Sequence, residues 1–182
     1  GVDGTGKTEV SKRLSEYMRA KLMAFPRRDG PLYKKITDHF SGSIVQENIH
    51  NVFTQDRILA HDEIQETLKT QSIVCDRYSY SGISCAFADG QDITDRILAE
   101  DKCYEPDLVI YLTAPAKVCE ERRLSRGLPA HKFEEEQFLV MALNAYYALS
   151  RITPNWHTVD TSDPIEEVMK NVISIVNKYE KK

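Results

Sequence analysis

The stretch Gly1-Val2-Asp3-Gly4-Thr5-Gly6-Lys7-Thr8 decides how the rest of the chain is read. It fits the spacing G-x-x-x-x-G-K-[ST], and Val10, Leu14, Tyr17 and Met18 then recur at helical intervals. Glycine lets the backbone turn with positive φ, so successive amide N–H groups can converge on one anion. The helix that starts there adds the positive end of its dipole. Lys7 can carry an ammonium to the outer phosphates of a nucleoside triphosphate, and the Thr8 hydroxyl can ligate Mg²⁺. The bland alternative is a glycine-rich turn with a surface lysine. Such a loop ordinarily follows a buried strand, and this sequence opens at Gly1. The first strand is therefore expected to be missing from the sequence, which reads as an incomplete copy of the working protein.

At 182 residues the chain suits one well-buried domain rather than two. Hydrophobic residues make up 41% and charged residues 29%, ordinary for a globular protein. A formal net charge of −4 argues against broad binding to a nucleic-acid backbone, so a polyanionic ligand needs a local cluster of Arg and Lys. No apolar run reaches membrane-spanning length and no signal-peptide pattern is visible. Cys75, Cys85, Cys103 and Cys119 show no C-x-x-C spacing, which points to free thiols in a reducing compartment, cytoplasmic or nuclear.

Beyond the first helix, 21–25 reads as extended up to Pro26, and Leu32, Ile36 and Phe40 mark a short helix. Residues 44–69 read as one long helix, 71–75 as a buried strand, and 79–89 and 92–100 as helices. Asp107 to Thr113 is the clearest strand, followed after Pro115 by a helix, a loop at 127–131 and a helix over 133–149. Trp156 to Asp160 is a last strand, and Pro164 opens a terminal helix. Strands alternating with helices predict an α/β fold, with a parallel sheet covered by helices on both faces.

In such sheets a ligand sits beyond the carboxyl ends of the strands. Arg28 and Arg77 fall at or after strand ends, on the rim that carries Lys7. Two guanidinium forks facing a phosphate loop suit a second phosphate, belonging to an acceptor, although either could pair with a surface carboxylate instead. Asp76 follows an apolar strand and is placed either to reach the Mg²⁺ shell or to cap the helix beginning near Ser79. Phe53 and Arg57, four residues apart, share a helix face; they could stack on a flat base and bond its edge, or be core plus a snorkelling charge. The basic run from Arg122 to Gly127 reads as part of a lid, spanning about 122–134, that closes over the transferring group.

Taken together and in order, Gly-Val-Asp-x-x-Gly-Lys-Thr, Phe-Pro-x-Arg, Phe-x-x-x-Arg, Asp-Arg-Tyr-x-x-Ser-Gly, Pro-Asp-Leu-Val-Ile-Tyr-Leu and Asn-Trp-x-x-Val-Asp resemble thymidylate kinase over nearly the whole chain. The resemblance implies a five-stranded parallel sheet of the P-loop nucleoside monophosphate kinase kind. It implies ATP-dependent phosphorylation of dTMP to dTDP with Mg²⁺, in a homodimer. ATP would lie on Gly4, Thr5, Gly6, Lys7 and Thr8, with Arg122 beside it, and the metal on Thr8 and Asp76. The dTMP phosphate would be held by Arg28 and Arg77, with Phe25 adjoining. Phe53 would stack on thymine, Arg57 would contact its O4 edge, and Ser81 would lie beside N3. Asp3 matches a carboxylate on the deoxyribose 3′-hydroxyl, and Phe133 an aromatic that closes over the base. Lys7, Arg77, Asp76, Asp3 and Arg126 would carry the catalysis.

The sequence also departs from the family. Cys85 stands where an aromatic usually excludes a ribose 2′-hydroxyl, with Phe87 a candidate substitute, and Leu139 stands where some members have Gln. Gly4 replaces a basic loop residue of one branch, so Arg122, Arg123 or Arg126 should supply that charge, Arg126 first because it adjoins Gly127. Two other readings stay open: another P-loop nucleoside or nucleoside monophosphate kinase, or a nucleotide-binding protein without turnover.

Overall fold

The computed structural model describes residues 1–43, 48–125 and 136–180. In chain order the elements are α1 (Lys7–Met18), β1 (Lys21–Ala24), α2 (Tyr33–Phe40), α3 (Ile49–Ile58), α4 (His61–Leu68), β2 (Ile73–Asp76), α5 (Ser79–Ala88), α6 (Ile93–Glu100), β3 (Val109–Thr113), α7 (Ala116–Leu124), α8 (Glu136–Ile152), β4 (Trp156–Asp160) and α9 (Ile165–Tyr179). Local chemistry sets several boundaries. Arg19 takes a left-handed conformation at the end of α1, and the Asp92 carboxylate accepts from the Thr94 and Asp95 amides to start α6. Pro164 precedes α9, whose first turn carries Glu166 and Glu167 against the helix dipole.

β1 lies parallel to β2, with Leu22 opposite Val74 and Ala24 opposite Asp76. β3 lies parallel to β4, with Val109 opposite Trp156 and Thr113 opposite Asp160. The main core joins the sheets through one face each of α1 and α9: Val10, Leu14, Val74, Leu112, Val159, Val168 and Val172 are buried together. An apolar cavity of about 360 Å³ is lined by Val74 of β2, Ile110 and Leu112 of β3, Val10 and Leu14 of α1, and Val176 of α9.

Three sequence expectations change here. Among the described residues the strands form two parallel pairs, four strands in all, where five in one sheet were expected. The single helix over 44–69 is two helices; residues 44–47 lie outside the described residues. The break comes where the Leu59 amide bonds Gln55 and the Ala60 amide bonds Arg57, tightening the last turn. Ala60, wholly buried, packs at that corner with Met23, Phe25 and Ile64. Apolar periodicity runs on through the bend, so the sequence carries no mark of it. The helix expected over 133–149 is described as Glu136–Ile152.

Leu149 of α8 is 1% exposed. Replacing it with Ala is expected to lower unfolding free energy by about 2–5 kcal/mol, since the lost transfer energy and the cavity add. Urea unfolding followed by circular dichroism measures this, and a loss below about 1 kcal/mol would mean that the α8 packing is misdescribed.

Candidate active site

The Gly1–Thr8 loop turns through Gly4 at φ 88° and Gly6 at φ 78°, left-handed values that suit glycine. A Cβ on Gly4 would also stand 2.5 Å from the Cys119 carbonyl oxygen, so the loop can lie this close to α7 only without a side chain there. Gly6 is the N-cap of α1 and offers no side-chain cap, which leaves the first amides of the helix for an anion. From behind, the buried Thr161 hydroxyl lies 3.1 Å from both the Thr5 and the Thr113 carbonyl oxygens. Arg122 donates to the Thr161 carbonyl at 2.6 Å and to the Gly4 carbonyl at 3.5 Å. The loop is thus tied to the ends of β3 and β4 and to α7.

Asp3 gathers the cations. Its Oδ1 accepts from Lys7 Nζ at 3.2 Å and from Arg77 Nη2, while Lys7 also donates to the Val2 carbonyl at 2.6 Å. Burial alone would raise the Asp3 carboxyl, but the charges and hydrogen bonds of Arg77 and Lys7 hold it down at about 2. Burial, and then the nearby Arg77 charge, lower the Lys7 ammonium to about 8 despite Asp3. Arg77 itself sits at φ 64°, a strained setting for a residue with a side chain, at the turn between β2 and α5. At the end of β2, Asp76 accepts from the Thr8 hydroxyl at 2.6 Å through Oδ2. Its Oδ1 is buried with no hydrogen-bond partner. The cap that starts α5 is Tyr78 without a side-chain bond, so Asp76 serves the phosphate loop and does not cap that helix.

Beside this cluster opens a cavity of about 330 Å³, lined by Asp3, Phe25, Phe53, Arg57, Arg77, Ser81, Cys85 and Leu139 among others. The structure therefore brings together the expected acceptor-side residues, with exceptions. Arg28 is exposed and does not line the cavity; its neighbour Arg27 is the one anchored, its amide donating to Asp56 at 2.9 Å and its guanidinium to Glu63 at 3.1 Å. Phe87 does not line it either. Arg126 and Phe133, and most of the expected lid, lie outside the described residues. Arg57 is 4% exposed and pairs with Glu100, a partner that the sequence does not foreshadow.

Tyr146 is a further site residue with no place in the sequence-based expectations. It is buried, lines the cavity, donates to Ser81 Oγ at 3.3 Å and lies 4.8 Å from the Tyr111 ring. Ala142, Ala145, Tyr146 and Leu149 recur at helical intervals, a pattern that marks this face as buried. Thr161 follows a strand end, the position where site residues gather, but nothing in its sequence surroundings gives it the role of a tie.

The family model for thymidylate kinase matches residues 1–172. A probable thymidylate kinase of Methanococcus maripaludis is 30% identical, over 97% of this chain and 92% of that protein. A putative thymidylate kinase of Invertebrate iridescent virus 6 is 29% identical, over 98% and 86%. Among solved structures, a thymidylate kinase from Candida albicans superposes with a TM-score of 0.84 at 24% identity, covering 99% of this chain and 89% of that one. That likeness shows the α/β fold of the P-loop nucleoside monophosphate kinases.

Lys7 at about 8 makes anion binding at the loop depend on pH. A bound triphosphate stabilises the ammonium and raises that value, so binding draws in a proton once the pH exceeds about 8. Affinity is expected to be level below about pH 7 and to fall above about pH 8 by up to roughly tenfold per unit. Titration calorimetry in buffers of different ionisation enthalpy reads the proton uptake; no uptake at about pH 8.5 would contradict the Lys7 environment described.

Proposed function

The chain belongs to the thymidylate kinase family, and from that membership we propose how its residues divide the phosphorylation of dTMP by ATP. The activity is ATP-dependent transfer of a phosphoryl group to dTMP, giving dTDP. ATP lies on Gly4, Thr5, Gly6, Lys7 and Thr8, with Arg122 at its side, and dTMP occupies the cavity of about 330 Å³. One observation carries the assignment: a single carboxylate, Asp3, touches both the phosphate-loop lysine and the cavity arginine. Donor and acceptor phosphates held by those two cations are brought close, and positioning supplies much of the rate in phosphoryl transfer.

Within the cavity, Phe25 and Phe53 pack on the base and sugar, Arg57 and Ser81 face the base edge, and Cys85 borders the sugar. Arg77 binds the acceptor phosphate. Arg28, exposed and close in sequence, joins it when dTMP is bound, and Asp3 then passes from Arg77 to the sugar 3′-hydroxyl. Arg126 and Phe133 act from the lid over about 122–134, Arg126 bringing charge to the transferring group and Phe133 covering the base.

Thr8 and Asp76 fit Mg²⁺, because the Asp76 carboxylate already holds the Thr8 hydroxyl and keeps one buried oxygen unpartnered. Among the described residues no cluster of three or more His, Cys, Asp or Glu could hold a metal alone, which suits a cation completing its shell with phosphate and water oxygens. When bound, Mg²⁺ offsets charge on the β- and γ-phosphate oxygens.

The finer architecture belongs to the same proposal: one domain, with a fifth parallel strand in the apolar cavity between β2 and β3. A homodimer and a cytoplasmic or nuclear place are proposed with it. Exposed apolar residues such as Leu59, Leu98 and Tyr147 offer contact area, and no helix among the described residues is long and apolar enough to cross a membrane.

Lys7→Ala and Arg77→Ala are each expected to lower kcat/KM for dTMP by about 10²–10³, the usual loss for one preorganised donor. A coupled assay of ADP release with dTMP, and with thymidine as the phosphate-free control, measures it. Near-normal turnover in either variant, or equal use of thymidine, would overturn the division of roles.

A further inference from the structure

We propose that Glu100, outside any assigned role, is a positioning residue that makes Arg57 a reader of a carbonyl oxygen on the base edge. The proposal rests on the reading of the 330 Å³ cavity as the dTMP site. Glu100 closes α6, and its carboxylate grips one whole side of the Arg57 guanidinium: Nε donates to Oε2 at 2.8 Å and Nη2 to Oε1. The same carboxylate accepts from the Thr54 hydroxyl at 2.7 Å and from the Cys103 thiol at 3.2 Å. Glu100 is 5% exposed and Arg57 4%, so neither exchanges freely with water.

Helix α5 closes the clamp. A Cβ on Gly82 would stand 2.2 Å from Arg57 Nη2, 2.8 Å from Cζ and 3.1 Å from Glu100 Oε1, so the ion pair packs closely against a stretch of backbone with no side chain. With Nε and Nη2 consumed, Nη1 is the nitrogen that bonds no described residue, and Arg57 lines the cavity. Nη1 can only donate, so it accepts a 4-oxo pyrimidine and opposes a 4-amino one. Arg96 buries a second cation against the same carboxylate, 3.8 Å away, so the cluster of two arginines and one glutamate keeps a net positive charge that favours a carbonyl oxygen. Burying such a group rarely stabilises a fold more than apolar packing would, which leaves orientation as its use.

The test compares dTMP with 5-methyl-deoxycytidine monophosphate, in which a 4-amino group replaces the 4-oxo group and N3 turns from an N–H donor into an acceptor. The N3 difference is common to wild type and variants, so a change in preference between them reads the 4-position. Glu100→Gln removes one grip and the charge, and Gly82→Ala crowds the guanidinium at 2.2 Å, and Glu100 Oε1 at 3.1 Å, while keeping the charge of the carboxylate. Each is expected to raise KM for dTMP about tenfold, with kcat and KM for ATP within about threefold, and to narrow the kcat/KM preference for dTMP by about tenfold. Gly82→Ala is measured alongside, so the proposal stays open to refutation even where Glu100→Gln folds poorly. A purely structural Glu100 would lower melting temperature and both activities together and leave the preference unchanged, which overturns the proposal. Arg57→Ala separates the two levels. If it leaves KM for dTMP unchanged, the cavity reading itself fails. If it raises KM while both other variants keep the wild-type preference, only the role of Glu100 fails.

Discussion

The Asp3 carboxylate is the interaction on which the site depends. In one place it holds a lysine from the loop and an arginine from the end of β2. Two cations drawn this close would repel in a partly buried setting, and the anion between them offsets that repulsion while their charges lower its own carboxyl. Under the roles proposed for Lys7 and Arg77, each arriving phosphate would take over a cation whose position is already set. Less reorganisation is then needed on binding.

The loop beneath that cluster is tied down from behind. Thr161 and Arg122 anchor the loop from the side away from the cavity, and both act on main-chain carbonyl oxygens. The amides of the loop stay free for a ligand while its carbonyls are spent on the scaffold. The same logic governs the acceptor side, where Arg27 fastens the turn after β1 to Asp56 of α3 and Glu63 of α4. Phe25 and Arg28 are thereby located relative to the helix that carries Phe53 and Arg57.

Much of this is legible in the residues. The loop, the strand-end acid and the cavity side chains can be placed because each depends on local spacing or on its position after a strand. Asp76 and Arg77 come at the end of β2, and Phe53 and Arg57 share α3 and line one cavity, whereas Asp3 enters only through the resemblance. What escapes depends on contacts between distant parts of the chain. The Glu100–Arg57 pair joins α6 to α3 across 43 positions, and Thr161 reaches Thr5 across 156. No periodicity encodes such partners. The bend at Leu59–Ala60 escapes for a related reason: the apolar pattern that serves a straight helix also serves two helices sharing one buried corner. Arg28 and Arg27 are adjacent and chemically alike, so only the position of Asp56 decides which is anchored.

Arg77 occupies a backbone conformation that a side chain disfavours, at the point where β2 hands over to α5. Strain of this kind amounts to about 1–3 kcal/mol, a sizeable fraction of a small domain's margin. Glycine or asparagine there would ease the main chain and remove the guanidinium in the same stroke. A search for thermal robustness that ignored turnover would be drawn to this position early, and the hardened scaffold it produced would lack the cation that Asp3 pairs with beside the phosphate loop.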